Sequence, residues 1–228
     1  MASTSYHKFA GICAILAGIG GFLYAVAFII LRDPLLYSLF LLLIGLFSTA
    51  AMIAVYHRLR ATDESFALWA LLLGLAGALG SAIHGGFDLA TVINPPPAVP
   101  ADLAGRPEVK ALLDYINSSP SQIDPRGLLA FGVTGIALFV IAWLTARGGA
   151  FPKALAYLGY LSAVLLIVLY LGRLIVLSPA NPIILLPALL NGFIVSPVWY
   201  IWLGLQLTKG GSAMAHNPSE MRSAHSAS

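Results

Sequence analysis

His84 and Asp88 stand four residues apart in a stretch that is otherwise apolar from Ala67 to Ile93, and Arg173 interrupts a second such stretch. A histidine and a carboxylate at i and i+4 share one helix face, which lets an imidazole exchange protons near neutral pH against a fixed acid partner. An intramembrane arginine supplies a permanent charge, either for an ion pair or for an anionic group. Asn191, in a third apolar stretch, adds a neutral donor and acceptor. An ionisable side chain in hydrocarbon costs about 2.5–3.5 kcal/mol on insertion scales, so it is rarely carried without a use. No GxSxG or HExxH element accompanies these residues, so no catalytic residue is assigned and an intramembrane enzyme ranks last among the readings.

The setting for these side chains is set by composition. Of 228 residues, 59% are hydrophobic and only 9% are charged, and the mean hydropathy is +0.90. An ordinary soluble domain has roughly 25% charged residues, so there are too few here to coat a globule. The net charge of +3 is scattered rather than clustered, which argues against a nucleic-acid partner. The single cysteine, Cys13, excludes an internal disulfide and dithiol redox chemistry. His84 is the one deep histidine, and His216 and His225 stand isolated near the C-terminus, so neither haem ligation nor a metal site is expected, and no cofactor is implied.

Six apolar segments reach the length of about 20 residues that a spanning helix needs. They are Phe9–Leu31, Leu35–Tyr56, Ala67–Ile93, Leu128–Ala146, Ala154–Leu177 and Ile183–Leu207, each bounded by proline, glycine or charge. The first is longer than the 7–15 residues usual for a signal-peptide core and is read as a span. The expected fold is therefore all-α: a polytopic bundle occupying residues 1–209, with the partners a lipid bilayer requires. Lysine and arginine set its orientation. Lys8, Arg58, Arg60, Arg147, Lys153, Lys209 and Arg222 fall on one side, and Arg32, Arg106, Lys110 and Arg126 on the other, which predicts both termini in the cytoplasm. Trp69, Trp143, Trp199 and Trp202 all fall toward the predicted cytoplasmic ends, as an aromatic belt would. The 94–126 connection is then extracytoplasmic. Within it, Pro107 to Ile116 has a short amphipathic helical pattern that suits a lid over the bundle or a helix lying on the headgroups. The Gly- and Ser-rich segment 210–228 reads as a disordered tail.

Counting about 1.5 Å per residue from the span ends puts Asp88 and Arg173 in one layer, with His84 and Asn191 one turn deeper. Tyr37, Ser38 and Tyr170 fall near the upper layer. The third span carries Gly77, Ser81 and Gly85 at four-residue spacing, a stripe along which helices approach closely. His84 and Asp88 project from the same side, toward protein. These placements predict an Asp88–Arg173 ion pair, with His84 beneath the shared carboxylate. The cluster is either a fastener between two helices or a small-molecule site.

One segment carries a family resemblance. Gly135 to Arg147 reads GxxLFxxAWLxxR, and Gly149, Phe151, Pro152, Lys153 and Leu155 follow in a short basic turn, with Ala156 where a glycine is usual. This pattern, running to Gly159, resembles a family of uncharacterised bacterial six-helix membrane proteins that carry a domain of unknown function. The resemblance implies a multi-pass protein of a bacterial plasma membrane and no particular reaction. The composite expectation is a non-enzymatic protein that binds or senses a small amphiphile, or joins a membrane assembly or a homo-oligomer. A small transporter is the alternative.

Overall fold

The computed structural model describes residues 4–95, 100, 103, 105–118, 123–176 and 181–213. Among these there is no strand. Six helices are long and apolar enough to cross a membrane: α1 (Ser5–Leu31), α2 (Pro34–Leu59), α3 (Glu64–Ile93), α5 (Leu128–Arg147), α6 (Lys153–Ile175) and α7 (Pro182–Lys209). A shorter helix, α4 (Pro107–Ser118), lies in the connection between α3 and α5. Observed spans match the expected ones to within four residues at each end. The last helical segment continues to Ala213, and the rest of the expected disordered tail, 214–228, lies outside the described residues.

Helix starts are fixed by side chains that accept the first orphan backbone donors. Asp33 accepts from the Leu35 and Leu36 amides at 3.0 and 3.1 Å, with Pro34 at the first helical position of α2. Asp63 does the same for Phe66 at 3.1 Å, and Asn181 for Ile183 at 3.0 Å ahead of Pro182. At the opposite polarity, α1 ends on Arg32, whose φ of 55° turns the chain back.

Short connections make sequence neighbours antiparallel partners. Going round the bundle, α1 packs on α2, α2 on α3, α3 on α5, α5 on α6, and α6 on α7; α7 then closes the ring against α1. Lipid chains are as apolar as leucine, so membrane helices gain little by hiding large side chains and associate instead where small residues let backbones meet. The burial pattern shows this directly. Ala10, Ala14, Ala17, Ala51, Ala54 and Ala163 are buried, whereas Ile175, Leu186 and Leu72 are 73%, 63% and 58% exposed on the perimeter. At the α2–α3 seam, a Cβ on Gly45 would land on the Ala78 carbonyl and the Ala82 backbone, and one on Gly85 would lie 2.7 Å from the Ser38 carbonyl oxygen. The α1–α7 seam closes in the same way, with Gly11 and Gly204 against each other's helix.

Two expectations change. Trp199 is a core residue, 2% exposed, stacked edge-on against Tyr200 at 5.0 Å and seated on Gly159, so it is not part of an interfacial belt. Trp69 and Trp143 fit a belt better: both flank Phe66, and Arg147 lies 4.5 Å over the Trp143 ring. The described side chains of α4 are largely exposed, Leu112 to 57%, which suits a helix lying on headgroups better than a packed lid.

Close approach at α2–α3 predicts a specific sensitivity. Gly85→Val, which forces backbone apart, should lower stability by about 1–3 kcal/mol in detergent melts. Gly149→Ala, where an added Cβ meets nothing within 4 Å, should leave the melting temperature unchanged.

Candidate functional site

The six spans enclose a cavity of about 380 Å³ at the centre of the ring, and every one of them contributes to its wall. Its floor is formed by Met52 of α2, Gly74 of α3, Leu138 of α5 and Tyr200 of α7. From there it runs toward the end of the bundle that bears the long α3–α5 connection, where Arg126 and Arg173 line it. Ser48, Ser81, Thr134 and Asn191 add hydroxyl and amide groups along the wall.

Three of the spans widen at this level. Val26–Leu31 in α1, Leu128–Val133 in α5 and Asn191–Val195 in α7 are π-helical turns. A π turn inserts an extra residue, bulges the backbone and is frequent at functional sites. Phe28 and Ile29, Ala130 and Phe131, and Asn191 and Gly192 all lie in these turns and all line the cavity. The bulges are tied down by side chains. Thr134 Oγ1 donates to the Leu129 carbonyl at 3.0 Å, and Ser162 Oγ donates to Asn191 Oδ1 at 2.9 Å, joining α6 to α7. In α7 the bulge follows Pro187, which removes one rung of the backbone ladder.

The mouth of α5 is built from a turn at 124–127. Asp124 is 1% exposed, and its carboxylate accepts from the Leu129 and Ala130 amides at 2.8 and 2.9 Å. Arg126 and Gly127 then take left-handed conformations, with φ of 62° and 78°. The Arg173 guanidinium lies 5.2 Å over the Phe131 ring and packs beside Gly127, where an added Cβ would be 3.3 Å from its Nη1. Asp124, Arg126 and Tyr24 lie within electrostatic reach of it.

Set against the sequence expectations, the four polar residues divide into two groups. Arg173 and Asn191 both line the cavity, whereas His84 and Asp88 lie outside its lining. Asp88 is bonded within its own helix, Oδ2 to His84 Nε2 at 3.2 Å, with side-chain exposures of 28% and 16%. Among the described residues it makes no salt bridge to Arg173, so the expected ion pair is not formed. The physical reason is ring order: α5 stands between α3 and α6, and equal depth does not make two residues neighbours. Both carboxylate and guanidinium still act on Tyr24, so the polar groups converge on one end of the bundle without touching. By helix geometry Asp88 lies about 20° and His84 about 60° round α3 from the cavity-lining Ser81, yet neither is part of the lining. His84 Nδ1 is buried with no hydrogen-bond partner. Of the other residues expected in the upper layer, Tyr37 packs edge-on to Phe28 at 5.3 Å, Ser38 is wholly buried, and Tyr170 covers Gly132.

Asp124, Arg126, Tyr24 and Phe131 were not expected as site residues, and Arg126 entered only through the count of basic residues that sets orientation. A signal for the first two exists: Asp124-Pro125-Arg126-Gly127 directly before an apolar run is a helix-start pattern, the same one that Asp33-Pro34 presents.

A domain of unknown function (DUF4386) matches residues 33–210, which is more than half of the chain, and the chain belongs to that family. The matched range begins at the residue that caps α2 and contains both the 124–127 turn and the Arg147–Gly159 connector. No curated protein and no solved structure matches the chain.

A double-mutant cycle separates the two arrangements of the cluster. Asp88→Asn and Arg173→Gln should be additive in thermal stability within about 0.5 kcal/mol, as non-contacting sites are. Asp88→Asn and His84→Gln should couple measurably, and a strong coupling between Asp88 and Arg173 instead would reinstate the direct ion pair.

Proposed function

We propose that this member of the DUF4386 family binds a small amphiphile inside its helix ring, acting as a sensor or an accessory subunit rather than as an enzyme. The observation that carries the reading is the central cavity, walled by all six spans and largely apolar, with a few hydroxyl and amide groups along the wall and two arginines at one end. A pocket of about 300–1,000 Å³ with an apolar body and a few convergent polar groups is the form a small-molecule site takes. The helices gain nothing from leaving a void, because lost dispersion contacts are unfavourable in a membrane interior as in water. Three π turns and a proline nevertheless hold the walls apart at one level. The His84–Asp88 pair, which would have been the acid–base element of an enzyme, lies outside the lining.

The setting is the plasma membrane of a bacterium, as the resemblance at Arg147–Gly159 implies. Both termini are cytoplasmic on the lysine and arginine count, so the arginine-lined end is extracytoplasmic. Transport is the second reading, favoured by the interruption of α1, α5 and α7 at one level, since broken helices form substrate sites in many carriers.

Native mass spectrometry of gently solubilised protein should show a co-purifying molecule of lipid-like size. Ala188→Phe, which fills the cavity wall, should abolish that adduct while the melting temperature in detergent stays near that of the parent. Parent protein that carries no adduct and takes up no added amphiphile would overturn the binding reading. Cysteines at positions 81 and 191 in a Cys13→Ser background should react only from the extracytoplasmic side; labelling from each side in turn would favour transport.

A further inference from the structure

We infer that the ligand is a single-chain amphiphile with an anionic head, a carboxylate or a phosphate monoester, held by Arg126 and Arg173 with its chain in the apolar body of the cavity. The inference rests on the binding reading above and adds the chemistry of the ligand.

Charge asymmetry at the cavity is the first ground. Its lining contains two ionisable side chains that are charged at neutral pH, and both are arginines. The acidic groups nearby are already engaged. Asp124 directs one carboxylate oxygen to the Leu129 amide and the other to the Ala130 amide, and Asp88 is held by His84. Among the described residues neither the Arg126 nor the Arg173 guanidinium makes a side-chain hydrogen bond or a salt bridge, so their N–H donors have no acceptor there. Two guanidinium groups facing one space repel each other, and an anion between them removes that repulsion. Arginine presents its donors in a planar fork that matches two oxygens of a carboxylate or phosphate.

Preorganisation is the second ground. Arg173 does not extend toward the headgroups as a free side chain would. Its guanidinium carbon lies 5.2 Å over the Phe131 ring, beside Gly127, where an added Cβ would come within 3.3 Å of Nη1. Arg126 is held by a left-handed backbone that a non-glycine residue adopts only at a steric cost. The third ground is shape. The wall runs from Leu41 to Met52 on α2 and from Ile184 to Tyr200 on α7. Those stretches are roughly 16 and 24 Å of helix, an elongated space suited to an acyl chain rather than to a compact solute.

The test measures binding of hexadecanoate, hexadecyl phosphate, hexadecanol and inorganic phosphate to the full chain in neutral maltoside detergent, by thermal shift and native mass spectrometry. Hexadecanoate and hexadecyl phosphate should bind more tightly than hexadecanol, and whichever is tighter identifies the head. Arg173→Gln should weaken the anions by roughly ten- to a hundredfold, the loss typical of a charge-assisted contact, and leave hexadecanol unchanged. Arg173→Lys, which keeps the charge and loses the fork, should fall between and guards against a folding defect in the glutamine variant. Arg126→Gly should weaken the anions too, yet melt at a higher temperature than the parent, because glycine relieves the positive φ. Equal binding of hexadecanoate and hexadecanol, unaffected by either arginine variant, overturns the anionic head and leaves the cavity reading standing. Binding of inorganic phosphate alone overturns the chain. Failure of every amphiphile, with Ala188→Phe indistinguishable from parent, overturns the binding reading itself.

Discussion

Backbone-to-backbone contact across glycine and alanine is the interaction on which the rest of this bundle depends. In hydrocarbon each helix satisfies its own peptide groups and owes nothing to its neighbours for hydrogen bonding. What joins two helices is dispersion, which falls off within an ångström of the optimum and so rewards the closest approach available. Gly45 and Gly85 at one seam, and Gly11 and Gly204 at another, set that distance. Many large side chains are turned outward here, with Ile30 and Leu186 both 63% exposed. A ring of six helices drawn together by small residues fills its centre only in part: Leu59, Leu144 and Trp199 pack one end, and the cavity is left beyond them.

The cavity is not uniform along the bundle axis, and the reason lies in the π turns. Toward the opposite end of the bundle, Trp199, Leu144 and Leu59 are buried and pack the interior. At the level of the π turns, α1, α5 and α7 each carry an additional residue in the turn, and the displaced backbone is secured by Thr134 on α5 and by the Ser162–Asn191 bond between α6 and α7. Asn191 thus contributes in two ways: its side chain fixes the neighbouring helix, and its backbone belongs to the bulge. A polar residue buried at that depth has an energetic reason to be bonded, and here the bond also determines where the wall stands.

The spans were legible because an unbroken apolar run bounded by Pro, Gly or charge has only one stable form in a bilayer. Arg32-Asp33-Pro34 and Asn181-Pro182 mark their helix starts with residues that cap as their chemistry dictates. Depth was legible in part, since rise per residue is fixed: Arg173 and Asn191 both line the cavity, and Asp88 and Arg173 both act on Tyr24. Azimuth was not. Whether Asp88 meets Arg173 depends on which helices are adjacent, and that is set by the sum of many seam contacts rather than by either residue. The π turns were equally hidden: of the three, only the one after Pro187 has a residue nearby that breaks the ladder. Trp199 illustrates the converse error, in which a residue type common at interfaces is placed by its neighbour, Gly159, in the core.

The two non-glycine residues with positive φ separate strain from its use. Arg32 and Arg126 both adopt the left-handed region, at the end of α1 and before α5, and both lie at the same end of the bundle. Each sits where glycine or asparagine would be the less strained choice. Arg32 closes a two-residue turn between spans and faces no cavity, so its strain is explained by the turn together with the charge that a membrane boundary favours. Arg126 has the same backbone problem and a glycine immediately after it, so a second glycine would have solved the turn at no steric cost. What the arginine adds is a guanidinium on the cavity wall, beside that of Arg173. Strain alone marks a turn; strain that coincides with a charge facing a largely apolar cavity marks a place where the fold gives up stability to position a group.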